Sequence, residues 1–347
     1  MKKRAIGVGL IIVLLMIFSM TEINGGYAAA ARYSVKDLAS RTVNVPSKPQ
    51  KISCLHPIPS YMVWRLSPGK LISIDMVFKT RLYLMPDSEI ARLKSLPVTG
   101  VYFKGMNREQ MLMLKPDVIV SMTKDPNLDR EEQEYMAPVV AVSKDELSDY
   151  ETSFRFIGKL VGNEKEGNAL ADYWRDTIHK ITSITDKIAS DKRVKVYYAS
   201  HDGVKSTVGP KTVMASIVRM AGGITLYDVV TNPVASSAED EHILIGMEEI
   251  LRWNPDVIIT KTASERDEIL SGAEWKPIPA VKNRRVYASL KYETLDGLQS
   301  LMGLLWTAGI LHPDKFKINF VEETKSFYSK FYCYEKITTE EIWTENN

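Results

Sequence analysis

Two successive series of short buried runs and helical patterns divide the chain. In the first, residues 51–55 form an apolar run that stops at His56-Pro57, and residues 61–66 continue with a turn or two of helix. Residues 71–74 and 118–121 read as further strands with a helix over 107–114 between them, and 139–142 closes the series. The second series opens with a strand at 194–198 and a helix over 213–220, which Gly222-Gly223 ends. A helix over 247–252, strands at 257–259 and 285–288, the apolar helix 298–311 and a last helix through 321–331 complete it. Continuous apolar runs alternating with helices predict parallel sheets covered on both faces. The expected fold is α/β, with two Rossmann-like lobes around central, mostly parallel sheets.

The segment 139–209 contains no proline. Within it Leu170, Trp174, Ile178, Ile181, Ile184 and Ile188 recur every three or four residues, an apolar stripe on one continuous helix. About 22 residues at 1.5 Å each reach roughly 33 Å, enough to join two lobes. The same stripe also suits an ordinary core helix of one lobe. A single rigid helix between lobes permits only limited closure.

An internal near-repeat favours two lobes. Residues 107–120 align with 246–259: each copy is a short helix, a Pro-Asp break (Pro116-Asp117, Pro255-Asp256) and a buried strand. An acid, Glu109 or Glu248, falls seven residues before the proline in both copies.

The first thirty residues differ in kind. Lys2, Lys3 and Arg4 precede an apolar run over 7–20, then polar residues, then Ala28-Ala29-Ala30-Ala31. That order is the layout of a secretory signal. A transmembrane anchor is the alternative, although about fourteen apolar residues fall short of the roughly twenty that span a bilayer. No cysteine stands directly after the run, so lipid attachment at a mature N-terminal cysteine is not expected. The expected division is a signal peptide at 1–31, an N-terminal α/β lobe at 32–165, a linking helix at 166–191 and a C-terminal α/β lobe at 192–347. Export permits a disulfide, but Cys54 lies in an apolar strand and Cys333 in an aromatic tail, and no bridge between them is expected. A net charge of +2 with no clustered Lys and Arg excludes a nucleic-acid footprint.

Several segments then carry a resemblance. Arg41 to Pro46 (R-T-V-N-V-P), the two Pro-Asp blocks, Val208-Gly209 with Ala221-Gly222-Gly223, Trp275 to Val281 followed by Asn283-Arg284-Arg285-Val286-Tyr287, and Gly303-Leu304-Leu305-Trp306 through His312-Pro313 stand in one order. The sequence resembles periplasmic binding proteins of the iron-siderophore and cobalamin type, whose two lobes are joined by a backbone helix, over essentially the whole mature chain. The resemblance implies the extracytoplasmic (periplasmic) substrate-binding component of an ABC importer. Such a chain would act as a monomer without a cofactor of its own. It would take a small-molecule metal chelate into the interlobe cleft and deliver it to an ABC permease dimer. A ferric siderophore is the first expectation; corrinoid, haem and nickel chelates fit the same role. One acidic residue on each lobe's outer face engages permease arginines in the resembling family, which implies docking by Glu109 and Glu248, with Glu249 the fallback. The helix dipole alone also favours a carboxylate in a first turn, by about 0.3–1 kcal/mol.

In this fold the ligand sits at loops after strand ends. That selects His56 with Tyr61, the 76–79 loop, Tyr102, Phe103, Lys104, Lys124, His201, the 239–242 loop and residues 292–296. Aromatic faces supply area and Lys supplies point charge for a bulky, anionic chelate; each side chain alone equally suits a solvated loop. His242 and Tyr292 carry donors suited to ferric or other transition ions. In the resembling family a His and a Tyr in comparable places complete the shell of an incompletely chelated iron, and pocket lining is their other reading. A different arrangement would hold bare Zn or Mn on His56, His201, His242 and Asp296, although no spacing vouches for four separate loops. No zincin, nucleophile-elbow, P-loop or dinucleotide motif is present in the mature chain, and His201-Asp202-Gly203 reads as a turn, so no catalytic residue is expected.

Overall fold

The computed structural model describes residues 31–342 except 83, 102, 103, 201, 230–242, 291–297, 333 and 335. The first sheet is built on strands Ile52–Cys54, Val118–Met122 and Val139–Val142, paired parallel in that order. Parallel bridges from Ile52 to Leu71 and from Ile74 to Val98 extend it on the other side. The second sheet runs Gly223–Thr225, Val194–Tyr198, Val257–Thr260, Val286–Ala288, all parallel. Strands buried on both faces explain why the sequence shows continuous apolar runs rather than alternation. Cys54 is a buried free thiol, and Cys333 lies outside the described residues.

The near-repeat is duplicated down to its hydrogen bonds. Helix Arg108–Leu114 ends at Lys115 (φ 48°) and helix Met247–Trp253 at Asn254 (φ 54°), both left-handed. The following prolines cannot continue a helix. Each Asp then caps the start of its lobe's first strand. Asp117 Oδ2 accepts from the N–H of Gln50 and of Lys51 at 2.7 and 2.9 Å, and Asp256 Oδ2 from that of Lys195 at 3.0 Å. Met111 and Ile250, equivalent in the repeat, are the single fully buried anchors of the two helices. At the N-terminus, strands Arg32–Lys36 and Thr42–Pro46 form an antiparallel hairpin. It is fastened to the sheet by Arg41, which bonds Asp37, Asp129 and the Val139 carbonyl.

Helix Glu164–Thr185 packs first against Asp149–Val161 and then against Val213–Met220 and Leu298–Leu311 of the second lobe. The apolar stripe holds for Leu170, Trp174 and Ile181, while Ile178 is half-buried. Ile184 is exposed and Ile188 falls beyond the helix end. The packing partner has changed there, so Thr185 turns inward and its hydroxyl donates to the Met220 carbonyl at 2.7 Å. Helix Phe320–Tyr332 returns to first-lobe residues. Tyr332 lies 5.6 Å from Trp64 between ring centroids, and Arg65 sits 5.3 Å over the Tyr332 ring.

Helices Asp149–Val161 and Glu164–Thr185 meet backbone to backbone around Gly158 and Gly167. A Cβ on Gly167 would lie 2.8 Å from the Gly158 Cα and from the Phe154 carbonyl oxygen. Gly167→Ala should therefore force the hairpin apart and cost about 1–3 kcal/mol, partly offset by alanine's better helix propensity, worth about 1 kcal/mol. Thermal melts check this: a lowered Tm is expected, and a raised one would show that the helices are not in contact here.

Candidate functional site

In the first sheet the connections on either side of Ile52–Cys54 and Val118–Met122 run in opposite directions, leaving a crevice where such sheets bind ligands. A cavity of about 570 Å3 opens there. Leu55 and His56 line it after the first strand, Lys124 and Asp125 after Val118–Met122, Glu131 from helix Leu128–Tyr135, and Lys144 with Asp145 after Val139–Val142. The volume lies within the usual range for small-molecule sites, about 300–1,000 Å3.

His56 is the N-cap of helix Pro57–Leu66, and its Nδ1 accepts the Ile58 N–H at 3.2 Å. That bond places the neutral ring's proton on Nε2. Burial, aided by the Lys144 charge, holds the imidazole well below its ordinary pKa, so it stays neutral. Lys124 pairs with Asp145 at 3.2 Å and reaches the Lys211 carbonyl of the second lobe at 3.5 Å, so this cavity residue also touches the opposite lobe. Close by, the lobes meet where the Leu147 N–H donates to Ser216 Oγ at 3.0 Å.

Asp125 accepts from Ser121 Oγ and from the Asn127 N–H, both at 2.8 Å, and shares a side-chain hydrogen bond with Glu131. Burial and the neighbouring Asp125 charge push Glu131 up to about 8. Glu131 is thus a neutral acid near pH 7, held protonated beside Asp125. Its Oε2 is buried without a hydrogen-bond partner among the described residues.

Other expected site residues fall elsewhere. Tyr61 is a core residue, not a cavity residue: its ring stands edge-on to Phe78 at 4.5 Å and its hydroxyl donates to the Arg81 carbonyl at 2.6 Å. The 76–79 loop is instead part of a helix, Met76–Thr80, which Asp75 caps through the Phe78 N–H. Lys104 is exposed in the turn of the Gly100–Val101 and Gly105–Met106 hairpin, beside Gly105, which lines the cavity. Tyr102, Phe103, His201, His242, Tyr292, Asp296 and the 239–242 loop lie outside the described residues. In the second sheet the equivalent crevice, between Val194–Tyr198 and Val257–Thr260, carries Lys261. Its Nζ sits 5.2 Å over the Tyr198 ring and donates to the Tyr198 hydroxyl at 3.4 Å.

Residues 80–291 match the family described as periplasmic binding protein. The chain belongs to that family. Its curated relatives include the molybdate-binding protein MolA of Haemophilus influenzae, 23% identical over 66% of this chain and 70% of the relative. A cobalamin-binding protein of Halobacterium salinarum is 22% identical over 73% of this chain and 65% of its own. Among solved structures, an ABC transporter solute binding protein from Sulfurospirillum deleyianum superposes with a TM-score of 0.75 at 22% identity, covering 89% of this chain and 97% of that one. In this periplasmic binding protein, Glu109 and Glu248 are exposed in the first turns of equivalent helices, one per lobe. Asn107 caps the first of these helices by accepting from the Gln110 N–H at 3.0 Å.

The Glu131 proton has a consequence for stability. Unfolded, this carboxyl titrates near its ordinary 4.5; folded, near 8. Between those values the folded chain holds a proton that the unfolded chain has released, so stability falls as pH rises through that window. Glu131→Gln has no such proton to lose. Its Tm should gain on wild type steadily from about pH 5 to about pH 9; a constant difference across that range would contradict the protonated pair.

Proposed function

We propose that this chain is the extracytoplasmic substrate-binding component of an ABC importer, exported by its N-terminal segment and acting as a carrier, not an enzyme. It captures a metal chelate between the lobes and hands it to a permease dimer, as a monomer whose only metal is the one the ligand brings. A ferric siderophore is the first reading; corrinoid, haem and nickel chelates belong to the same class. The observation that carries the proposal is the cavity at the switch point of a chain in this family, lined by Lys124, Lys144 and a neutral His56. Relatives named for cobalamin and for molybdate support a metal-bearing ligand. Glu109 and Glu248 dock the permease.

The other reading is bare Zn or Mn. It would use His56, yet that ring's Nδ1 is engaged with the Ile58 N–H. Its other three ligands, His201, His242 and Asp296, lie outside the described residues. Calorimetric titration with a panel of ferric siderophores, corrinoids and haem should give at least one affinity in the micromolar range, about −8 kcal/mol, or tighter. Binding of free Zn or Mn alone would replace the chelate reading. In the same assay His242→Ala and Tyr292→Phe should weaken an incompletely chelated iron more than a fully chelated one, because only the former leaves metal positions open. Equal losses would reduce both residues to pocket contacts.

A further inference from the structure

The loop after strand Val139–Val142 belongs to the cavity and to the seam between the lobes at once. Its Lys144 and Asp145 line the cavity, and the next two residues, Glu146 and Leu147, reach the second lobe. The Leu147 N–H donates to Ser216 Oγ at 3.0 Å, and Glu146 lies 3.7 Å from Arg219. These two ties fall within helix Val213–Met220, while Lys124 joins Asp145 to the Lys211 carbonyl just before it. The ties are unequal. The Glu146–Arg219 pair is partly exposed and adds little. Leu147 and Ser216 are both buried, where an N–H deprived of its acceptor is costly. The Ser216 hydroxyl donates its own proton to the Val213 carbonyl at 2.7 Å, which leaves its oxygen to accept from Leu147.

The loop has little slack between its two halves. Asp149 Oδ2 accepts from Ser143 Oγ and from the Glu146 N–H, so one carboxylate brackets Lys144 and Asp145. Ser153 Oγ accepts from the Ser143 N–H and donates to the Ser143 carbonyl. The Leu147 carbonyl accepts from Trp174 Nε1 of the linking helix. A shift at Leu147 is therefore passed to the two residues that face the ligand. We propose that Ser216, a second-lobe residue outside the cavity lining, is a positioning residue for ligand binding. By holding the Leu147 N–H it sets Lys144 and Asp145 in the arrangement that the ligand requires. This rests on the reading of the cavity as the ligand site. The second lobe thus contributes to that site through the loop it holds, and bound ligand in turn steadies the Leu147–Ser216 bond.

The test pairs two measurements on the full chain and its Ser216→Ala variant, with circular dichroism to verify folding. Should the alanine chain fail to fold, Ser216→Cys takes its place, since a thiol sulfur is a weaker acceptor in the same position. The first measurement is calorimetric titration with ferrioxamine B, cyanocobalamin and haemin. If the loosened loop holds the ligand-ready arrangement about a tenth of the time, the tightest probe should lose about tenfold in affinity. The second is NMR relaxation dispersion at the Lys144 and Asp145 amides. Without ligand, the variant should show microsecond-to-millisecond exchange there that the wild type lacks, and bound probe should suppress it. A bond that serves only the fold would leave those two amides as they are in the wild type. Undiminished affinity in a folded variant, or unchanged dispersion at Lys144 and Asp145, would overturn the positioning role and leave the cavity reading intact. A folded wild type that binds none of the three probes would remove the cavity reading, and this inference with it.

Discussion

Changing Glu109 and Glu248 together to lysine should abolish uptake through the cognate permease, by at least about a hundredfold, while leaving ligand affinity in solution within about twofold. Both carboxylates are exposed, sit in the same turn of equivalent helices, belong to different lobes, and neither lines the cavity. Local helix energetics account for an acid at either site but not for the match between them. Paired contacts, one lobe per permease subunit, would hold the cleft over the translocation path, and charge reversal would place like charges together at both ends. Alanine at both positions should give a milder loss of transport and of ligand-stimulated ATPase activity. Unimpaired transport in the double lysine variant would end the docking role.

Trp174→Ala should be among the most destabilising single changes in the chain, at about 3–5 kcal/mol. The indole is fully buried, stacked on Tyr150 at 4.9 Å and against Phe154 at 5.4 Å, and its Nε1 donates to the Leu147 carbonyl at 2.8 Å. Leu147 is also the residue whose N–H meets Ser216 of the second lobe. Truncation thus empties the core of the linking helix and orphans a carbonyl at the seam between lobes. Denaturant unfolding measures the effect, and a loss under about 1 kcal/mol would show that the site collapses around the gap.

The sheets were legible because parallel strands are buried on both faces and announce themselves as apolar runs. The near-repeat was legible because a Pro-Asp break has one mechanical consequence, a stopped helix and a capped strand, wherever it occurs. The site was less so. His56 and Lys124 followed from the rule that ligands gather at strand ends, and both line the cavity. Tyr61 failed because it follows Ile58 by three residues, and that helical turn carries its ring into the same core. Helix Leu128–Tyr135 had no periodic signal: between its two buried ends the residues are all charged or amide. Glu131 was therefore invisible, and its pairing with Asp125 exists only once the helix folds back over the strand end. Lys144 had no signal beyond its place just after Val139–Val142.

The central claim is that this protein carries a metal chelate. Native mass spectrometry of the protein purified from its own organism, with metal analysis of the same sample, tests it most directly. The bound species should be heavier than the metal alone, with iron, or else cobalt or nickel, at one equivalent per chain. A mass increment equal to a single zinc or manganese ion would contradict it.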